Sequence, residues 1–184
     1  MNNIYLASDF HFGHSRMVQY CDRPLDFSER IFDGLQTIPA DDHLICLGDV
    51  CVGRDKEMHE RFIAPLKCRK SLVLGNHDKK TRTWYLSHGW DEVEKRIIID
   101  IGGGKRALLT HEFDQYLDNI SINLAGHLHN HLERILAGRF VIEGEEERNA
   151  GWLSYYNPKK HILVSMEELN YKPIELTKFL ETHL

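Results

Sequence analysis

The chain has 184 residues and a formal charge of −5, from 28 Asp plus Glu against 23 Lys plus Arg. With 42% hydrophobic residues it reads as one globular domain over residues 1–184 with a real core, which argues against disorder, collagen and coiled coil. The longest apolar runs fall far short of the ~20 residues of a membrane-spanning helix, and mild acidity argues against stable nucleic-acid binding by charge alone.

In chain order, Ile4 to Ala7 predicts a short buried strand and Phe27 to Ile38 an amphipathic helix through Ile31, Leu35 and Ile38. His43 to Leu47 predicts a second strand, Lys56 to Leu66 a helix, Ser71 to Leu74 a third strand and Thr81 to Ser87 a short helix. This alternation favours a layered α/β fold with a central sheet. The second half changes character. Val93 to Ile101 and Arg106 to Thr110, joined through Gly102, Gly103 and Gly104, predict an antiparallel hairpin. Ile122 to Ala125, Arg139 to Ile142 and His161 to Met166 predict further strands, and Glu143 to Glu147 a solvated acidic loop. Ile174 to Leu184 predicts a closing helix just behind Pro173. Alternation first and strands later points to two stacked sheets with flanking helices.

The cysteines, Cys21, Cys46, Cys51 and Cys68, form no CxxC pair, and the opening MNNIYLASDFHF lacks the basic region of a signal peptide. Free thiols in or near a core, and a cytoplasmic location, are expected.

Histidine is abundant: 12 residues, against 8 Phe and 7 Tyr. Several sit with carboxylates at strand ends. Asp9 and His11 follow the first strand, Asp49 the second, and Asn76, His77 and Asp78 the third. His111 follows the hairpin strand, and His127 and His129 the next. Each fragment alone also fits a residue that caps a turn. Five in succession point to one shared site, because ligand sites of open α/β sheets form outside the carboxyl ends of the strands. Side chains two apart on extended backbone share a face, so Asp9 with His11, and His127 with His129, can point into one pocket.

The order DxH, GD, GNHD, a lone His and GHxH is carried here by Asp9-Phe10-His11, Gly48-Asp49, Gly75-Asn76-His77-Asp78, His111 and Gly126-His127-Leu128-His129. It resembles the calcineurin-like metallophosphoesterase superfamily. The fuller opening SDFHFGHSRMVQYCDRP and the closing VSMEELNYKPIEL are similar to its small, single-domain bacterial and phage branch. The resemblance implies a four-layer αββα sandwich of two mixed sheets flanked by helices, and a site for two divalent metal ions. Asp9, His11, Asp49 and His129 would hold one ion, and Asp49, Asn76, His111 and His127 the other, with Asp49 bridging. Two such ions acidify a shared water and clamp phosphoryl oxygens. The reaction implied is phosphoester hydrolysis by that hydroxide, with His77 as general acid. Imidazole, carboxylate and amide donors without thiolate suit Mn, Fe, Co, Ni or Zn, and the resemblance puts manganese first.

Two residues depart from the family pattern. Val52 stands where the fuller GDxxDR form has its second Asp, which leaves the group that orients His77 unassigned, and the Pro common after the lone His is absent from His111-Glu112-Phe113-Asp114.

His14, Arg23 and Arg54 follow motif tips and are candidate substrate contacts, since cationic side chains match phosphate. His131 continues the alternating face of His127 and His129 and is a candidate cleft residue, while Asp78 and Glu112 are placed to support neighbouring ligands. His43, His59, His88, His161 and His183 have no metal-like spacing and are expected to be exposed. Trp84, Trp90, Trp152, Tyr155, Tyr156 and Cys51 are expected to pack. The substrate expected is a small phosphoester or nucleotide, with a diester slightly preferred over a monoester. A catalytically silent metal-binding scaffold is the reading from another class.

Overall fold

The computed structural model describes residues 2–137 and 151–183. In chain order these form β1 (Ile4–Ala7), α1 (Met17–Tyr20), α2 (Phe27–Gln36), β2 (His43–Cys46), α3 (Asp55–Met58), β3 (Arg69–Val73), α4 (Arg82–Leu86) and β4 (Glu92–Glu94). There follow β5 (Ile97–Asp100), β6 (Arg106–Thr110), β7 (Ile122–Ala125), α5 (Leu132–Leu136), β8 (His161–Leu163), β9 (Ile174–Glu175) and α6 (Leu176–Glu181). The strands make two sheets, ordered β4-β3-β2-β1-β9 and β5-β6-β7-β8. Both are mixed: β9 runs antiparallel to β1 and β5 antiparallel to β6, while the other pairs are parallel.

Alternate side chains of the first sheet serve two cores. Ala7, Leu44, Cys46 and Leu72 pack outward against Phe27, Ile31 and Leu35 of α2. Leu6, Ile45, Leu47 and Val73 pack inward against Ala107, Leu109, Ile122 and Leu124 of the second sheet. A third cluster, with Ala125, Phe113, Ile135 and Trp152, covers the outer face of that second sheet. The layers are therefore helix, sheet, sheet, helix, the sandwich expected. Central parallel strands buried on both faces read as continuous apolar runs, which is why β2, β3 and β7 were so plain in the sequence.

Three elements differ from expectation. Val93 to Ile101 is not one hairpin arm: Val93 pairs with Leu72 in the first sheet, and Ile97 pairs with Leu109 in the second. The break falls at Lys95 and Arg96, whose exposed charges suit the passage between sheets. Ile174 begins the closing segment as strand, because the free edge of β1 takes Ile174 and Glu175 as partners for Leu6 and Tyr5. The helix expected over Lys56 to Leu66 widens into a π-helical turn at His59–Ile63. The expected strand Arg139 to Ile142 and acidic loop Glu143 to Glu147 lie outside the described residues. All four cysteines are free and buried, as their spacing implied. Among the described residues no helix is long and apolar enough to cross a membrane.

The topology brings the motif tips together. Parallel register sets Ala7 beside Cys46 and Cys46 beside Leu72, so Asp9, Asp49 and Asn76 leave the same edge of the first sheet. In the second sheet Thr110 lies beside Ala125, so His111 and His127 leave side by side.

Candidate metal centre

Beyond the strands, the loops are laced to one another by backbone hydrogen bonds. Asp9 N–H donates to the Gly48 carbonyl (2.9 Å), His11 N–H to that of Asp49 (3.0 Å) and Phe12 N–H to that of Val50 (3.0 Å). The chain turns sharply at the polar positions. Asp9, His11, Asp49, His127 and His129 all have positive φ, between 50° and 72°, half of the ten such non-glycine residues described. Strain of this kind is tolerated where the surroundings over-determine the backbone, as they do at functional sites. Two glycines make room. A β-carbon on Gly75 would strike the Asp49 carboxylate, and one on Gly126 would strike Ser8 and Asp9.

Two buried carboxylates face a ring of imidazoles. Asp49 Oδ2 lies 3.5 Å from His11 Nε2, 3.4 Å from His111 Nε2 and 4.0 Å from His77 Nε2. Asp9 Oδ1 lies 3.9 Å from His11 Nε2 and 3.8 Å from His129 Nε2. His111 Nε2 is also 2.8 Å from Asn76 Oδ1 and 3.2 Å from His127 Nδ1. All seven expected ligand positions thus converge. Donors sharing an ion at about 2.1 Å stand roughly 3.0–3.4 Å from one another, and two of these separations, His111 Nε2 to Asp49 Oδ2 at 3.4 Å and to His127 Nδ1 at 3.2 Å, are of that size.

The proton positions fit a cation. The Leu47 carbonyl, 2.8 Å from His111 Nδ1, can only accept, so Nδ1 carries the proton and Nε2 faces inward. His11 has both ring nitrogens buried without a hydrogen-bond partner. Burial first, and then the cations and imidazoles around it, hold His11 well below the ordinary histidine range, although Asp49 opposes this. The His11 Nε2 is turned toward the two carboxylates. Burial likewise disfavours charge on His111, but Asp49 and then Asp9 outweigh it and lift His111 to about 10. His129 moves well upward against burial, chiefly through Asp9 and also through Cys21 and Glu167. Asp49 is held far below the carboxylate range by His111, His11 and His77, despite its burial. In the metal-free protein, protons on His111 and His129 offset the two buried aspartates, and a divalent cation can take over that task. The donor set fits a metal.

The other candidates divide. His77 is at the rim, its side chain 42% exposed and its ring 5.3 Å from that of His11. His14 sits beside it in the same corner, its ring 5.7 Å from that of His11, and burial lowers its pKa. Arg23 is not at the cleft. Its buried guanidinium is committed to Glu167 and to the carbonyls of Asp9 and Phe10, so the expected substrate contact is corrected to an internal one. Arg54 points to solvent and pairs with Glu57 on α3, again away from the ligand ring. His131 is buried with Nε2 3.7 Å from Cys21 Sγ, so it packs behind the His129 loop rather than lining an opening. Glu112 is half-buried.

Asp78 does support the site: its carboxylate accepts N–H bonds from Asp49 (2.8 Å), Gly75 (2.8 Å) and Val50 (3.2 Å). Burial, reinforced by Asp49, raises it to about 6 against those donors. His59 and His161 are buried, contrary to expectation. Aromatic neighbours explain both: Trp84, Tyr85 and Trp90 around His59, and Phe113, Tyr155 and Tyr156 around His161. Cys51 packs as expected, its thiol pushed far up by burial and then by Asp55.

One residue escaped the sequence reading. The Glu167 side chain is 5% exposed and lies 3.1 Å from His129 Nδ1 and 2.7 Å from Arg23 Nε. The signal was available, since Glu167 follows the apolar run Ile162-Leu-Val-Ser-Met166 just as Asp9 follows β1.

A sandwich whose parallel strand tips gather two aspartates, one asparagine and four imidazoles defines a metal-binding hydrolase of the phosphoesterase class. A family model described as calcineurin-like phosphoesterase matches residues 3–170, and the chain belongs to that family. The family's chemistry is metal-dependent phosphoester hydrolysis. The chain is similar to an uncharacterised protein of Methanocaldococcus jannaschii, 28% identical over 96% of this chain and 88% of that one. The gene 66 protein of Mycobacterium phage L5 is 33% identical over 86 residues, 42% of this chain and 41% of that one. Among solved structures, a protein of unknown function from Aquifex aeolicus superposes with a TM-score of 0.71 at 25% identity, covering 99% of this chain and all of the other.

Proposed function

We propose that this chain hydrolyses a small phosphoester with two divalent cations. Asp9, His11, Asp49 and His129 would hold one, and Asp49, Asn76, His111 and His127 the other. One observation carries the reading: buried Asp49 Oδ2 stands 3.5 Å from His11 Nε2 and 3.4 Å from His111 Nε2, and neither ring nitrogen of His11 has a hydrogen-bond partner. When bound, such ions lower the pKa of a coordinated water and offset charge on phosphoryl oxygens. Manganese is the first choice, with iron, zinc, nickel and cobalt suited to the same donors.

The chain's own groups orient the rest. The Leu47 carbonyl fixes the tautomer of His111. The His77 backbone N–H holds Asp49 Oδ1 at 2.8 Å, which leaves Oδ2 for the shared position. The His77 imidazole stands at the rim, where it donates a proton to the leaving oxygen. His14, next to His11, bears on the phosphoryl group from the same side. With two dications held by the two carboxylates and neutral donors, and with the hydroxide those ions would supply, the site would carry one net positive charge. That surplus matches the single charge of a diester better than the double charge of a monoester. The net charge of −5 favours a small nucleotide-like substrate over a long polyanion.

The test is a matrix of metals against bis(p-nitrophenyl) phosphate, p-nitrophenyl phosphate and a 2′,3′-cyclic nucleotide. Metal-dependent turnover with the diesters ahead is expected. A preference for the monoester would overturn the diester assignment, and two tightly held metals with no turnover of any substrate would favour a binding scaffold.

A further inference from the structure

Behind the ligand ring lies a buried ion pair that the proposed reaction does not use. Glu167 Oε1 accepts from Arg23 Nε at 2.7 Å and lies 3.1 Å from His129 Nδ1. The same guanidinium reaches the loop that carries Asp9, where Nη1 donates to the Phe10 carbonyl at 2.8 Å and Nη2 to the Asp9 carbonyl at 2.6 Å. The Arg23 side chain is fully buried and that of Glu167 is 5% exposed. On the far side of the imidazole, His129 Nε2 faces Asp9 Oδ1 at 3.8 Å. One planar fork therefore ties together the backbone behind Asp9 and the carboxylate behind His129.

We propose that Arg23 and Glu167 are positioning residues for the cation held by Asp9, His11 and His129. Glu167 accepts a hydrogen bond from the Nδ1–H of His129, which fixes the tautomer that turns Nε2 toward Asp9. Arg23 holds that carboxylate in place and, through the Asp9 and Phe10 carbonyls, keeps Asp9 at its positive φ of 55°. A lysine cannot do this. Three acceptors in three directions need the fixed fork of a guanidinium, whereas an ammonium is a point charge on a flexible stem. Carboxylate support behind a ligating imidazole is worth roughly 10–100-fold in metal affinity. The nearer support of Asp49 comes from other groups, so the effect falls on one ion of the two.

The inference rests on the proposed two-cation function, and the experiment keeps the two apart. Calorimetric titration of metal-free wild type with manganese is expected to give two equivalents, and failure to bind two ions would overturn the function itself. In Glu167→Gln and Arg23→Lys, one equivalent is expected to weaken about 10–100-fold while the other keeps its affinity. Retention of that second equivalent also reports that the variant is folded. Two wild-type affinities in both variants would overturn the inference, and so would equal weakening of both equivalents, which marks a general structural role. A measurement on the unaltered protein needs no variant to fold. In zinc-loaded, 15N-histidine-labelled wild type, His129 is expected to carry its proton on Nδ1, and a proton on Nε2 would overturn the assignment.

Discussion

The two flanks of the metal centre are built by different means. On the Asp49 flank the supports are backbone groups and neighbours within the motifs. His77 N–H holds Asp49, the Leu47 carbonyl holds His111, and Asp78 gathers the amides of Asp49, Val50 and Gly75. On the Asp9 flank the Asp9 carboxylate also accepts from the His127 N–H (2.9 Å) and from Ser8 Oγ, but the groups behind Asp9 and His129 are the side chains of Arg23 and Glu167. Arg23 and Glu167 are 144 residues apart, and Glu167 is 38 from the His129 it supports. A flank held by its own motif turns can be rebuilt wherever the motif folds. A flank held by a buried ion pair depends on the segment after β8, which carries Glu167, being in place, because an ion pair that loses one partner leaves the other charge buried and uncompensated.

The largest effect should come from the residue both flanks share. Asp49→Asn removes the one carboxylate set between His11 and His111, and metal-dependent turnover is expected to fall ~10³-fold or more, beyond the loss of a single electrostatic donor. Metal content should fall below two equivalents. Full turnover with two ions retained would refute the shared position. His77→Gln comes next, with a loss of roughly 10²-fold or more, as for a general acid. That loss should shrink for a leaving group as acidic as p-nitrophenol, which needs little protonation, and should leave metal content unchanged. A defect independent of the leaving group would remove His77 from the acid role.

The same division explains what could be read in the sequence. The Asp49 flank was legible because its strands are short apolar runs and its supports lie within a few residues of the ligands, so even Asp78 could be named. The five strand tips were found for the same reason. Arg23 was seen but misplaced, since a lone arginine behind a motif looks alike whether it faces phosphate or a carbonyl. Glu167 was missed because its partner is distant in the chain, although its position behind an apolar strand obeyed the rule that found the others. The splitting of Val93 to Ile101 between two sheets was not legible, because an apolar run does not say which sheet it joins.

A pH experiment sharpens the contrast between protons and metal. His111 rises from its ordinary 6.5 to about 10 in the metal-free fold. A raised pKa contributes stability that is fully present below the unfolded value and lost as pH rises through the folded one. Asp49 is shifted downward, so its contribution is present above the ordinary 3.8 and lost on acidification. The metal-free protein should therefore be best stabilised by this pair between about 4 and 6.5, and should lose stability toward pH 10. A cation replaces those protons and does not leave on mild alkalinisation. The rise in melting temperature caused by manganese is expected to grow from pH 6.5 to 9, with protons released on binding. A rise that is flat or falling over that range would mean that His111 is not displaced from its protonated form.

The smallest effect is expected at Arg54, and it tests whether surface charge near a motif makes a substrate site. Arg54 borders a surface depression of about 450 Å³, with Asp55, Lys56, Glu57, Glu60, Lys80 and Trp84 as the other lining residues. Its three cations face three carboxylates, Arg54 pairs with Glu57 and Lys80 lies 3.7 Å from Asp55, so the depression offers a phosphate no net attraction. The candidate metal centre differs because its two buried carboxylates face imidazoles and an amide, with no lysine or arginine side chain among the seven proposed ligands. Exposed ion pairs of the Arg54 kind contribute little. Arg54→Ala should leave kcat/KM for bis(p-nitrophenyl) phosphate within about twofold of wild type, which is ~0.4 kcal/mol of transition-state stabilisation. A tenfold rise in KM for a nucleotide, with that for the small diester unchanged, would make the depression a subsite and extend the functional surface past the ligand ring.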